Sequence, residues 1–298
     1  MTIETRALSK NYGAIHAVQD LNLRVPEGGI NAFLGPNGHG KSTTIKMLLG
    51  ITRPTAGAGW VLGLPIDQPQ SSLEIRRRTA YASEDKQTYP FMTVRQVLDF
   101  VRGLYPGWRP DREAELLKRF GLPADRRVKQ LSKGMRTQLA LVLALARGAE
   151  LVVLDEPSEG LDPVATEIML QEVVRAASDG ATVFFSSHQL AEAERIADQA
   201  FIIRRGRIVL EGRLDELRER YRRINAVFDG PPPIEQLRQP GTERISVGGN
   251  TCSLLVSGAA AGIANRVRAL GALSVDLHPV DLRELFLETV QEQDHDLV

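Results

Sequence analysis

The run Gly35-Pro36-Asn37-Gly38-His39-Gly40-Lys41-Ser42-Thr43 fits the pattern G-x-x-x-x-G-K-[ST]. Its glycines let the backbone curl until successive N–H groups point inward, which makes a cradle for phosphate oxygens. Lys41 is spaced to reach the β- and γ-phosphates of a nucleotide, and the Ser42 hydroxyl to hold Mg²⁺. His39 fills an unspecified position of the pattern, as an imidazole with a role or as a tolerated, solvent-facing side chain. A second group of reactive types lies at Leu151-Val152-Val153-Leu154-Asp155-Glu156, an apolar run closed by two carboxylates. Two adjacent charges ending a buried strand need a metal or a partner to offset them. Asp155 is placed to hold Mg²⁺, directly or through water. Glu156 points elsewhere and suits a general base for water.

These groups need elements to position them. Ile30 to Leu34 is a compact apolar strand and Lys41 to Leu49 a helix, so the glycine-rich loop has the strand–loop–helix setting of a phosphate loop. The helix presents its positive end to the same anion. Upstream, a strand, a turn at Tyr12-Gly13 and a second strand end at Pro26-Glu27-Gly28-Gly29. Helices are expected at Val94 to Leu104, Arg112 to Phe120 and Lys133 to Arg147. The strand at 151–154 is followed by a helix at Val164 to Ser178, a strand at Thr182 to Ser186 and a helix at Leu190 to Asp198. A hairpin then turns at Gly206, and a charged helix covers Asp215 to Arg223. Gly230-Pro231-Pro232-Pro233 breaks the pattern. Short strands around it, a helix near Ala259 to Leu270, a strand at Leu273 to Leu277 and a helix at Asp281 to Val290 make a small α+β domain. The expected division is 1–222 and 223–298.

The bulk numbers set limits. The 298 residues carry 37 Lys+Arg and 37 Asp+Glu, so net charge is zero and the basic excess of a general nucleic-acid binder is missing. The single cysteine, Cys252, cannot form an internal disulfide, which fits a reducing cytosol, and it reads as a small buried apolar residue. The N-terminus lacks the basic and apolar run of a signal peptide. The run Leu139 to Ala146 is far short of the roughly 20 residues that span a bilayer. A membrane role would therefore require a partner.

Leu131-Ser132-Lys133-Gly134-Met135, just upstream of the acidic strand, resembles the L-S-G-G-Q signature of the ABC ATPase family. Glu159-Gly160-Leu161-Asp162-Pro163 resembles that family's D-loop, and Ser186-Ser187-His188 its histidine switch. Tyr12 stands where the family puts an aromatic under adenine. The resemblance covers roughly residues 1–222. It implies a P-loop NTPase, an α/β RecA-like core with an antiparallel β edge and a helical insertion at about 85–150. It also implies two copies, or one copy and a paralogue, pairing head to tail with ATP between the signature of one and the phosphate loop of the other. Ser132 suits this as the N-cap of the helix starting at Lys133, offering a hydroxyl and free N–H groups to an anion; the alternative is a purely structural cap. His188 would contact the γ-phosphate and help orient water.

Three positions depart from the pattern. Lys133 replaces the first signature glycine, as a cation near the second copy's phosphates or as a solvated lysine, and Met135 replaces glutamine. Glu84 stands after Tyr81-Ala82-Ser83, where the family's Q-loop carries glutamine, and it can still ligate Mg²⁺; Gln87 is a weaker substitute. The segment Asp85 to Val94, with Tyr89, Pro90, Phe91 and Met92, falls where family transporters touch their membrane subunit; the alternative places Phe91 and Met92 in the core. The tail Asp281-Leu282-Arg283-Glu284-Leu285-Phe286-Leu287 looks like the ending of drug- and bacteriocin-exporter ATPases. The resemblance thus implies an ATP-hydrolysing subunit, with ATP and Mg²⁺, on the inner face of the cell membrane through a separate permease. A soluble ABC ATPase of translation or antibiotic protection normally has two ATPase domains, and a DNA-repair ATPase inserts long coiled coils; neither pattern is seen here.

Overall fold

The computed structural model describes residues 1–85 and 88–291, without the side chains of the last three. The chain divides into two compact units, Met1–Glu211 and Gly212–Val298. In the first, strands β1 (Ile3–Tyr12), β2 (Ile15–Leu21), β3 (Arg24–Val25) and β4 (Ile30–Leu34) precede helix α1 (Lys41–Leu48). There follow β5 (Ala56–Val61), β6 (Leu64–Pro65), α2 (Pro69–Arg78) and β7 (Thr79–Ala82), then helices α3 (Val94–Arg102), α4 (Pro110–Phe120) and α5 (Lys133–Leu145). Next come β8 (Leu151–Asp155), α6 (Pro163–Ser178), β9 (Thr182–Ser187), α7 (Leu190–Ile196), β10 (Gln199–Arg204) and β11 (Arg207–Arg213).

The central sheet has the order β11-β10-β4-β9-β8-β7. From β10 to β7 neighbouring strands are parallel, with Leu34 opposite Ser187 and Asp155 opposite Ser186. Both faces are covered, which is why β4, β8 and β9 are buried throughout and mainly apolar, with polar residues at Asn31 and at the ends of β8 and β9. The expected antiparallel region is a sheet of its own, β2-β1-β5-β6 with β3 on β1. Helices α3 to α5 fall inside the expected insertion. Thr93 and Gln96 form a capping box at the start of α3, and Asp162 caps α6 with Pro163 in its first turn.

The second unit holds α8 (Leu214–Arg220), β12 (Tyr221–Phe228), α9 (Ile234–Leu237), β13 (Thr242–Gly248), β14 (Thr251–Ser257), α10 (Ala260–Ala269), β15 (Ala272–Pro279) and α11 (Leu282–Gln291). Its antiparallel sheet, β13-β14-β12-β15, packs Ile224, Phe228, Leu254 and Val256 together with Ile263 and Val267 of α10. Cys252 is buried in that core, as expected. Two expectations need correction. The charged helix stops at Arg220 instead of Arg223, because Tyr221–Arg223 pair with Ser257–Leu255 of β14, and a sheet ladder overrides local composition. The boundary accordingly lies between Glu211 and Gly212, upstream of 222/223, since α8 packs on β12. The stretch between α1 and α3, unassigned from sequence, supplies β5, β6, α2 and the edge strand β7.

Candidate functional site

Because β4, β8, β9 and β7 run parallel, the loops after them emerge at one edge of the sheet, the edge where open α/β sheets bind ligands. The loop after β4 is the glycine-rich run. Gly40 caps α1 with φ 102°, and a Cβ there would lie 2.4 Å from the Ala17 carbonyl oxygen, so only glycine fits. Lys41 is buried; its Nζ donates to the carbonyl oxygens of Gly35 (2.7 Å) and Pro36 (3.3 Å). Asn37 and Gly38 are exposed, and Thr43 sits in the first turn of α1.

Lys41 also pairs with Glu156, Nζ to Oε1 at 3.1 Å, both side chains 5% exposed. Glu156 has φ 49°, a left-handed conformation unusual for a long side chain, and its N–H donates to the Ser186 carbonyl and hydroxyl. Its Oε2 lies 2.8 Å from Nδ1 of His188. The structure thus joins the expected base to the expected histidine and to the phosphate-loop lysine, a convergence that spacing alone did not reveal.

Asp155 is 1% exposed and its Oδ1 accepts from the Ser186 hydroxyl at 2.5 Å. Burial pushes its pKa up, the hydroxyls of Ser186 and Ser42 pull it down, and the charges of Glu84 and Glu156 add to the rise. Among the described residues its Oδ2 has no hydrogen-bond partner. The Ser42 hydroxyl donates to Glu84 Oε2 at 3.3 Å. Ser42, Glu84 and Asp155 line one cavity of about 310 Å³. A buried, under-satisfied carboxylate beside a hydroxyl and a second carboxylate is an all-oxygen set that fits Mg²⁺, which binds through one or two carboxylates plus substrate oxygens. Gln87 lies outside the described residues.

Ser132 caps α5, its Oγ accepting from the Met135 N–H at 3.2 Å, with φ −63° and ψ 168°. The Lys133 ammonium is 2.5 Å from Glu159 Oε1. Gly134 packs on the D-loop: a Cβ there would lie 2.5 Å from the Gly160 carbonyl oxygen. Met135 sulfur lies 3.8 Å from the Arg126 guanidinium. Tyr12, at the end of β1, is 49% exposed, with the Lys10 ammonium 4.9 Å from its ring centre.

Several contacts of this region have no signal in the sequence. The His39 ring is half-buried and accepts from the Arg205 N–H at 3.3 Å, so it is held rather than merely tolerated. Burial, then the cations Arg204, Lys41 and Arg205, lower its pKa below the usual histidine value. Glu159 of the D-loop pairs with Lys133, and Ser186 of the histidine-switch strand bonds Asp155 and the Glu156 N–H, contacts that neither motif encodes. Glu192 of α7, buried near Glu156 and His188, is pushed up in pKa by desolvation. No short-range pattern marks it, because the fold alone brings α7 to β8.

A family model described as ABC transporter matches residues 18–159. An uncharacterized ABC transporter ATP-binding protein of Nostoc sp. strain PCC 7120 is 38% identical over 208 residues, 67% of this chain; the chain spans only 61% of that relative. Nod factor export ATP-binding protein I of Rhizobium etli is 32% identical over 294 residues, covering 96% of this chain and 92% of that one. A solved ATP-binding subunit of an ABC transporter superposes with a TM-score of 0.67 at 32% identity, over 74% of this chain and 92% of the other.

Proposed function

The chain belongs to the ABC transporter family and has the ABC ATPase fold, and from that premise we propose that it is the ATP-binding, ATP-hydrolysing motor of an exporter whose permease is a separate chain. The observation that carries this reading is the convergence of Lys41, Ser42, Asp155, Glu156 and His188 on one sheet edge.

In this reading the backbone of 35–43 and the α1 N-terminus hold the phosphates, Lys41 reaches the β- and γ-phosphates, and Tyr12 lies under adenine. Ser42, Asp155 and Glu84 would hold Mg²⁺, which supplies charge neutralisation to the phosphate oxygens. Glu156 accepts a proton from the attacking water, and His188, hydrogen-bonded to that carboxylate, orients the same water and meets the γ-phosphate. For this Lys41 must leave Glu156, which frees the carboxylate as the lysine takes the phosphate.

ABC ATPases work as dimers. Ser132 and the free N–H groups of the first turn of α5, including Gly134, are exposed or half-buried and suit the γ-phosphate of a second copy or a paralogue, head to tail. Export is supported by the Rhizobium relative, whose name is that of an export ATP-binding protein. Among the described residues no helix is long and apolar enough to cross a membrane, so a membrane position on the cytoplasmic face would come through the permease. Tyr89, Phe91 and Phe100 suit that contact: they are 48%, 65% and 46% exposed, with Tyr89 edge-on to Phe100 at 5.7 Å and tilted against Phe91 at 6.0 Å between ring centres. The unit after Glu211 holds none of the nucleotide-site residues and is dispensable for ATP binding in this reading.

The test is light scattering of the Glu156→Gln protein. A monomer without nucleotide that becomes a dimer with Mg-ATP supports the reading; a monomer under both conditions overturns it.

A further inference from the structure

Lys133 departs from the signature pattern by adding a cation, and Glu84 departs from the Q-loop pattern by adding an anion. The fold brings both to one place. Lys133 and Glu84 line the same 310 Å³ cavity as Ser42 and Asp155 of their own chain, and they also share a second, neighbouring cavity of about 680 Å³. Lys133 does not simply project into solvent: its stem lies along Gly160, and its ammonium is held 2.5 Å from Glu159, another residue of the first cavity. The Thr137 hydroxyl donates to the Glu159 backbone carbonyl at 2.9 Å, which fixes the D-loop against α5 and so fixes where that carboxylate sits.

We infer that Lys133 is a positioning residue acting within its own subunit, as a tethered cation that partly offsets the carboxylates of Glu84, Asp155 and Glu159 at the metal end of the cavity. The inference rests on the reading that Mg-ATP binds at Lys41, Ser42 and Asp155. A fixed positive charge beside an all-oxygen cation site competes with the cation for the same carboxylates. The two sequence departures then belong together: the carboxylate at 84 would over-bind a divalent ion and repel phosphate, and the ammonium at 133 corrects both.

The experiment is titration of a fluorescent ATP analogue into the full chain over a range of Mg²⁺ concentrations, at protein concentrations where the chain is monomeric. The readout is the Mg²⁺ concentration giving half of the metal-dependent gain in affinity. Lys133→Gln should lower it about threefold to fivefold, a modest shift because the ammonium is largely exposed. Glu84→Gln should raise it by a similar factor, and the double variant should return toward the unsubstituted protein, which independent structural damage at two sites would not do. A Lys133→Gln value within experimental error of the unsubstituted one overturns the inference. So does a normal Mg²⁺ response combined with weaker ATP-dependent pairing of two copies, because Lys133 then serves the second copy's phosphate. If the unsubstituted chain shows no Mg²⁺-dependent nucleotide affinity, the functional reading itself falls, and the inference with it.

Discussion

Replacing Glu156 by Gln should raise ATP affinity while it removes hydrolysis. Lys41 cannot bind a phosphate and Glu156 at once, and the two lie 3.1 Å apart with side chains 5% exposed. For a buried pair the Coulomb attraction is largely offset by desolvation, so a net worth of about 1–2 kcal/mol is a reasonable measure of what a phosphate must displace. That free energy corresponds to about 5–30-fold in an equilibrium constant. The Glu156→Gln substitution removes the charge while size and hydrogen bonding remain, and Lys41 keeps its acceptors at Gly35 and Pro36. The expected result is therefore an ATP dissociation constant about tenfold lower, with steady-state phosphate release reduced about 10²–10⁴-fold through loss of the general base. Isothermal titration with ATP and a phosphate-release assay measure the two effects. Unchanged or weaker ATP binding would show that the lysine–glutamate pair does not compete with nucleotide. Hydrolysis within a few-fold of the unsubstituted protein would remove Glu156 as base and leave His188 as the first candidate.

Three further outcomes follow from the same geometry. Asp155→Asn should stabilise the protein by about 1 kcal/mol in the absence of nucleotide, because a desolvated carboxylate with a partnerless oxygen is neutralised, yet it should weaken Mg-ATP binding; a lower urea midpoint than the unsubstituted chain would contradict the burial argument. His39 has its pKa lowered below 6.5, so folding favours the neutral ring: its contribution is intact above about pH 6.5 and lost as pH falls below that value. His39→Gln should flatten the decline of the thermal midpoint between about pH 7 and 5, and an unaltered slope would count against it. Gly134→Ala places a Cβ 2.5 Å from the Gly160 oxygen and should cost about 1–3 kcal/mol while loosening ATP-dependent pairing; an unchanged melting temperature would mean that the signature and D-loop are not in firm contact.

Much of the site could be read from the sequence because its signals are local. The glycine-rich loop lies between a five-residue apolar strand and a helix, the Asp155-Glu156 pair closes another apolar strand, and Ser132 precedes a helix that it does cap. The missing parts are non-local. The Lys41–Glu156 pair joins residues from different strand ends, and the bond between His39 and Arg205 spans 166 positions. Both depend on strand order, and the order β10-β4-β9-β8-β7 has no short-range signature. Glu156 shows the limit most clearly, since its positive φ is imposed by hydrogen bonds from its own N–H to Ser186 on the neighbouring strand. Tyr221 to Arg223 fails in the other direction: local charge pattern says helix, and two flanking strands make it sheet.

Four polar side chains that would meet Mg-ATP are already engaged by neighbours: Lys41 and His188 by Glu156, Ser42 by Glu84, Asp155 by Ser186. Lys41 and His188 share one carboxylate, so a ligand that draws the lysine away also alters the partner of the histidine. In the proposed reading, phosphate oxygens and Mg²⁺ arriving together take over these contacts, so the pairs act as a latch that the complete ligand opens.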